Sequence, residues 1–242
     1  MSAAPRVVVA VFPGTWSERD FAHVGGLLGW DVRLAWHTET EIGEPDAVVL
    51  PGGFAHGDHL RTGAIARFSP IMDPVSAFAE AGGPVIGSCN GFQVLTEAGL
   101  LPGALMRNVS LEYRCEWQWL RVQQADGPFL GSLDAGQLIR LPISHGEGRY
   151  HAGEVTLNEL EESGRVALRY ADSEGRTTDD ANPNGSLRSI AGILNERGNV
   201  LGLMPHPERA AEREIGGEDG LALFRSLERW LARQPAAAER RL

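Results

Sequence analysis

The chain has 242 residues, is 43% hydrophobic and carries a formal net charge of -10 at pH 7. This length can bury a sizeable core in one domain, and an acidic chain without a basic stripe does not fit nucleic acid as its main partner. All 22 positively charged residues are Arg, and the absence of Lys excludes a P-loop and Schiff-base chemistry.

No apolar run reaches the roughly 18 residues that a membrane-spanning helix needs, so we expect no membrane partner. The first apolar run, at residues 7–12, is short and ends in a Pro-Gly turn, which favours a strand over a signal peptide. Two Cys in a chain of this length do not form a disulfide framework. These features together predict a cytoplasmic protein.

In the first half of the chain, short apolar runs alternate with helical patterns. This alternation predicts an α/β fold with a mainly parallel central sheet flanked by helices. Ser17 is expected to cap the first helix. The predicted elements are strands at 7–12, 31–35, 47–50 and 85–88, helices at 18–28 and 91–98, and a helix at 63–80 broken by Pro70 and Pro74.

From residue 117 onward the pattern changes to strands separated by loops. Asn195 to Asn199 predict the turn of a hairpin. We expect one domain over 1–242, with an ordered core at about 7–231 and a frayed tail at 234–242. The predicted elements are strands at 119–122, 138–141, 166–170, 190–194 and 200–204 and a closing amphipathic helix at 219–231.

The run at 85–88 ends abruptly at Cys89, which has Gly87 two positions before it and Gly91 two positions after it. This pattern predicts a strand that turns sharply into a helix and presents one nucleophilic side chain at the bend. Glycines suit such a bend because its backbone is strained and chain segments cross closely. We therefore predict a catalytic thiol, with a buried core Cys as the alternative. Cys115 lacks the glycines, and we expect it to pack in the core.

A thiol is only partly ionised at neutral pH, so a nearby base and a group that orients that base are expected. His206 follows a predicted strand and lies between Pro205 and Pro207, which restrict its backbone. Glu208, two residues on, can hold the imidazole in one tautomer. The sequence therefore predicts a triad of Cys89, His206 and Glu208.

Another glycine-rich turn follows the strand at 47–50. Consecutive glycines at 52 and 53 let backbone N–H groups approach a ligand closely. One of these N–H groups, together with that of Asn90, would bind a developing oxyanion.

Strand-Pro-Gly-Gly, Gly-x-Cys-x-Gly and Pro-His-Pro-Glu, in this order, resemble the class I glutamine amidotransferases, which have a flavodoxin-like fold with a nucleophile elbow. Within that family the chain is similar to the separate glutaminase subunits of bacterial phosphoribosylformylglycinamidine synthases, over about residues 7–230. The motifs that carry the resemblance are Gly52 to Asp58, Arg61, Gly63 to Arg67, Cys89 to Gln93, His145 to Gly148, Asn182 to Ser186 and Met204 to Ala210.

The resemblance implies that Cys89 attacks the side-chain amide of glutamine and that Gly53 and Asn90 form the oxyanion hole. It implies glutamine-binding roles for Gly52, Gln93, Ser110 and Leu111. It also implies purine biosynthesis as the setting and transfer of ammonia to a large synthetase subunit, with or without a small third subunit. No cofactor or metal is expected on this chain, and ATP and magnesium are expected on the synthetase.

The sequence departs from the family pattern in the loop after the first strand. There the usual Asn-Cys-Asp is replaced by Trp16, Ser17 and Glu18, and the usual Ser-Tyr after Gly-Gly-Phe is Ala55-His56. Two alternatives stay open: a stand-alone Cys-elbow hydrolase of γ-glutamyl compounds, and a non-catalytic regulatory module with the same fold.

Overall fold

The computed structural model describes residues 3–234, which form alternating strands and helices. The strands are β1 (Arg6–Val11), β2 (Asp31–Trp36), β3 (Ala47–Leu50), β4 (Val85–Ser88), β5 (Ala104–Met106), β6 (Arg114–Val122), β7 (Leu138–His145), β8 (Arg149–His151), β9 (Val166–Ala171), β10 (Ile190–Leu194) and β11 (Val200–Leu203). The helices are α1 (Glu18–Leu27), α2 (Met72–Glu80), α3 (Asn90–Glu97), α4 (Gly127–Leu130), α5 (Glu154–Glu162) and α6 (Leu221–Arg233).

Nine of these strands form one sheet in the order β2-β1-β3-β4-β11-β10-β9-β6-β7. The first five of that order pair in parallel, and the later pairs are antiparallel. Only β10 and β6 therefore run against the common direction of this sheet. The predicted α/β class is confirmed, and β10 and β11 form the predicted hairpin. Strands β5 and β8 make a separate antiparallel pair.

Each face of the sheet is covered by helices that bury an apolar side against it. On one face α2, α3 and α5 contribute side chains such as Val75, Phe92 and Leu157. On the other face α1, α4 and α6 contribute Phe21 and Phe224 among others. Because both faces are covered, the central strands are apolar at nearly every position, as β1, β3 and β4 show.

Several local predictions need correction. Ser17 is the N-cap residue of α1 as predicted, but its hydroxyl makes no cap hydrogen bond and instead accepts the N–H of Gly52. Cys115 is exposed rather than packed in the core. The short elements β5, β8, α4 and α5 were not predicted, because each contains too few apolar positions to show a period. The predicted break at Pro70 is confirmed, but the predicted break at Pro74 is wrong. Pro74 lies in the first turn of α2, where its missing N–H breaks no helical hydrogen bond. Most of the predicted tail lies outside the described residues.

The parallel strands all point their carboxyl ends at one edge of the sheet, where ligands bind in open α/β folds. The loops after β1, β3, β4 and β11 meet there, together with the end of β7. Among residues 3–234 no helix combines the length and apolar character needed to cross a membrane.

Candidate active site

Cys89 alone forms the bend between β4 and α3. Its backbone has φ 49° and ψ -108°, a conformation that L-residues rarely adopt. Gly91 makes the bend possible, because a Cβ there would lie 1.9 Å from the carbonyl oxygen of Leu50 in β3. The Cys89 N–H donates to the Leu203 carbonyl at 2.8 Å. The predicted elbow is thus present, with the thiol 5% exposed at the carboxyl edge of the sheet.

His206 and Glu208 lie beside the elbow, on the loop after β11. The His206 N–H donates to the carbonyl of Pro142 in β7 at 2.8 Å, and Nδ1 is 2.6 Å from Glu208 Oε1. Both side chains are buried. With Nδ1 occupied by the carboxylate, Nε2 is the ring nitrogen left for proton transfer with the thiol.

Electrostatics favour the charged form of this imidazole. Burial of His206 opposes the charge, but the Glu208 carboxylate and the Cys89 sulfur outweigh it, and the pKa of His206 is raised to about 10. Opposite charges in a buried site favour each other's ionised forms. The raised pKa keeps the imidazole protonated at neutral pH, so His206 can act as a proton donor in a reaction at Cys89.

The glycine turn after β3 packs against the triad. A Cβ on Gly52 would lie 2.5 Å from Cε1 of His206, so only Gly fits beside the ring. Asn90 follows the nucleophile at the N-terminus of α3, and its Oδ1 accepts the N–H of Ala55 at 3.0 Å. This bond ties the turn that carries Gly53 to the start of α3, which carries Asn90; their roles as oxyanion donors stay predictions.

The structure gives Gln93 protein partners at both ends of its amide. Its Oε1 accepts from Asn90 Nδ2 at 2.9 Å, and its Nε2 donates to the Glu147 carbonyl at 2.7 Å. Ser110 and Leu111 lie on an exposed loop after β5, where Leu111 has φ 58°. Glutamine contacts of these residues stay predictions.

A buried polar cluster behind the nucleophile was not assigned a role from the sequence. His145 ends β7, with Nδ1 3.2 Å from Asn108 Oδ1 and Nε2 3.5 Å from Asn184 Nδ2. Burial, and next the charge of His206, lower the pKa of His145 to about 3, so this ring stays neutral. Next to it, the Ser144 carbonyl lies 3.5 Å from the Cys89 sulfur. Nothing local in the sequence marks these contacts, because residues from distant segments make them.

A carboxylate also lies close to the elbow. Asp58 Oδ1 is 3.5 Å from Asn90 Nδ2, and burial together with the charge of Glu147 raises the pKa of Asp58 to about 6. Glu147 lines a neighbouring cavity of about 560 Å³ that the loop of Ser110 and Leu111 borders. Within residues 3–234 there is no group of three or more His, Cys, Asp or Glu placed to hold a metal ion.

Comparison with known proteins agrees with this geometry. A model of the CobB/CobQ-like glutamine amidotransferase domain matches residues 4–231, and the chain therefore belongs to this family. This match over nearly the whole chain confirms the predicted family.

Individual relatives are more specific. The phosphoribosylformylglycinamidine synthase subunit PurQ of Thermomicrobium roseum is 53% identical over 92% of this chain and 94% of its own. The PurQ subunit of Synechococcus elongatus is 56% identical over 91% of this chain and 96% of its own.

Solved structures show the same fold. A chain of the PurLQS structure from Thermotoga maritima matches with a TM-score of 0.85 and 41% identity, covering 95% of this chain and 100% of that one. A glutamine amidotransferase from the same organism, with a TM-score of 0.61 and 14% identity, covers 96% of this chain and 100% of that one and shows the fold alone.

Proposed function

We propose that this chain is the glutaminase subunit of a phosphoribosylformylglycinamidine synthase. The observation that carries the proposal is the buried triad: a strained Cys89 at the elbow, beside His206, whose Nδ1 is 2.6 Å from Glu208. The high identity to PurQ subunits over nearly their whole length points to this member of the family.

The Cys89 thiolate attacks the side-chain amide carbon of glutamine, and the carbonyl electrons form an oxyanion. The N–H groups of Gly53 and Asn90 stabilise that charge. His206 gives its proton to the leaving nitrogen, and ammonia departs as the γ-glutamyl thioester forms. The neutral imidazole then takes a proton from water, which attacks the thioester and releases glutamate.

The ammonia serves a large synthetase subunit that binds ATP and magnesium and converts formylglycinamide ribonucleotide to formylglycinamidine ribonucleotide in purine biosynthesis. A small third subunit completes the assembly, as in the PurLQS structure whose chain this one resembles. This chain itself needs no cofactor, since a thiol, an imidazole and a carboxylate suffice for amide hydrolysis. A free thiol at Cys89 suits the reducing cytoplasm, where we place the reaction.

The first experiment is intact-mass analysis after incubation with 6-diazo-5-oxo-norleucine, a glutamine analogue that alkylates the nucleophile. We expect a single adduct, mapped to Cys89, that forms faster when the synthetase subunit is present. The partner is expected to complete the site because uncoupled hydrolysis would waste glutamine.

The chain provides its own matched control. Cys115 is an exposed thiol outside the predicted triad, so Cys115→Ala should keep the adduct and Cys89→Ala should lose it. If the wild-type chain forms no adduct either with or without the synthetase subunit, that result would contradict a glutamine site. Rapid turnover of γ-glutamyl peptides by the isolated chain would favour a stand-alone hydrolase instead.

A further inference from the structure

The loop between β1 and α1 holds the glycine turn that carries the predicted oxyanion donor. The N–H groups of Trp16 and Ser17 donate to the Gly52 carbonyl at 3.0 and 3.1 Å. In return, Ser17 Oγ accepts the N–H of Gly52 at 2.8 Å. Ser17 is fully buried, so water does not compete for these bonds. Both polar groups of the Gly52 backbone are therefore held by this one loop.

The same loop sets the conformation of Gly53. Gly53 forms an isolated antiparallel bridge with Thr15. The hydrogen bonds of this bridge are made by Gly52 and Phe54, the residues on either side of Gly53. A Cβ on Gly53 would lie 2.7 Å from Gly14 O, Thr15 Cα and Trp16 N. The Gly53 N–H stays outside the bonds of the bridge, while its peptide is packed against the loop.

The loop also contacts the other side of the active site. The guanidinium of Arg209 lies over the ring of Trp16 at 3.9 Å, and Arg209 Nε donates to Asp20 at 3.2 Å. Arg209 directly follows Glu208 of the triad. Trp16 thus connects the oxyanion turn to the segment that carries the base and its carboxylate.

We propose that Ser17 and Trp16 are positioning residues of the glutaminase reaction, which aim the Gly53 N–H at the developing oxyanion. The proposal rests on the proposed function. Two consecutive glycines are conformationally free, so a Gly-Gly turn needs an external hold to keep one N–H in a fixed direction. An oxyanion donor stabilises the transition state only when it is aimed in advance.

The test is Ser17→Ala, assayed for glutamine hydrolysis in the complex with the synthetase. Since losing one oxyanion donor costs about 10²–10³ in rate, we expect kcat to fall about 10- to 100-fold. We expect an unchanged KM and an unchanged rate of Cys89 carbamidomethylation by iodoacetamide, because that displacement of iodide passes through no oxyanion. A purely structural role would slow both reactions.

The matched control is Ser226→Ala in α6. Ser226 is also buried, and its hydroxyl accepts the N–H of Ser132 at 2.9 Å and donates to the Ala222 carbonyl at 2.7 Å. This variant should keep the full kcat. Equal kcat values in the Ser17 and Ser226 variants would overturn the proposal. Parallel losses of kcat and of the carbamidomethylation rate in Ser17→Ala would also overturn it.

Trp16 gives a second test in case Ser17→Ala does not fold, because its side chain is half exposed. Trp16→Ala should lower kcat, and Trp16→Phe should restore it by keeping a ring under Arg209. If Trp16→Ala has the same kcat as the wild type, the proposal is overturned. A wild-type complex that hydrolyses no glutamine would instead refute the proposed function, independently of these variants.

Discussion

At the scale of single residues, the site depends on an energetically unfavourable backbone conformation at Cys89. Cys89 has a positive φ, which costs a non-glycine residue of order 1–3 kcal/mol and persists only where the surroundings enforce it. Here the β4 pairing on both sides and the first turn of α3 enforce it. The strain presents the sulfur to the imidazole of His206, where it can react.

His145 predicts a pH dependence of stability. Its pKa is lowered to about 3 in the folded state by burial and by the charge of His206, against 6.5 in the unfolded chain. Below pH 6.5 the unfolded chain therefore binds a proton that the folded chain excludes, and stability falls as the pH falls toward 3. The loss from this residue is about 2 kcal/mol between pH 6.5 and about pH 5, at about 1.36 kcal/mol per pH unit.

Urea unfolding at several pH values measures this loss. His145→Gln should flatten the dependence of the unfolding free energy on pH in this window. The exposed His151→Gln should leave it as in the wild type. Identical pH slopes for the wild type and His145→Gln would contradict the neutral buried imidazole.

At the scale of elements, the elbow requires α3 to cross the end of β3 at backbone contact. A Cβ on Gly91 would lie 1.9 Å from the Leu50 carbonyl oxygen, and backbone cannot move aside as a side chain can. We expect Gly91→Ala to destabilise the fold by about 3 kcal/mol or more, at the upper end of overpacking costs. Chemical denaturation of the purified variant measures this change.

Gly26 in α1 is the matched control, since it is exposed and a Cβ there meets nothing within 4 Å. Gly26→Ala should stabilise the chain by up to about 1 kcal/mol through helix propensity. A Gly91→Ala variant as stable as Gly26→Ala would show that β3 and α3 are not in this contact.

At the scale of the whole molecule, exposed apolar side chains gather around the cavity that Glu147 lines. Leu60, Val109 and Leu111 are 94%, 59% and 78% exposed and line the same cavity as Glu147. Exposed apolar residues gathered at one place mark interaction surfaces. The surface lies beside α3, because the Glu147 carbonyl accepts a hydrogen bond from Gln93 Nε2, and it therefore suits docking of the synthetase subunit.

We expect Leu60→Asp to weaken binding of the synthetase subunit and to lower partner-stimulated glutamine hydrolysis. Asp tolerates the positive φ of 70° at this position, so the fold should be kept. Val155→Asp, in the first turn of α5 and 73% exposed, is the matched control and should bind normally. Equal binding of both variants, measured by calorimetry, would exclude Leu60 from the interface.

The sequence by itself was enough to predict the α/β class, the elbow at Cys89 and its partners His206 and Glu208. Each of these is encoded locally: apolar runs specify strands, glycines two residues from Cys89 allow the bend, and the two prolines beside His206 restrict its backbone. The family resemblance, which the comparisons confirm, rests on the same local strings.

Only the tertiary structure decided which distant segments support those residues. Ser17 was expected to cap a helix, but folding places the Gly52 N–H, 35 positions away, within reach of its hydroxyl. Likewise, the neutral state of His145 depends on burial against Asn108 and Asn184, from separate loops. Such pairings leave no local period or motif, because they arise where the carboxyl ends of several strands meet.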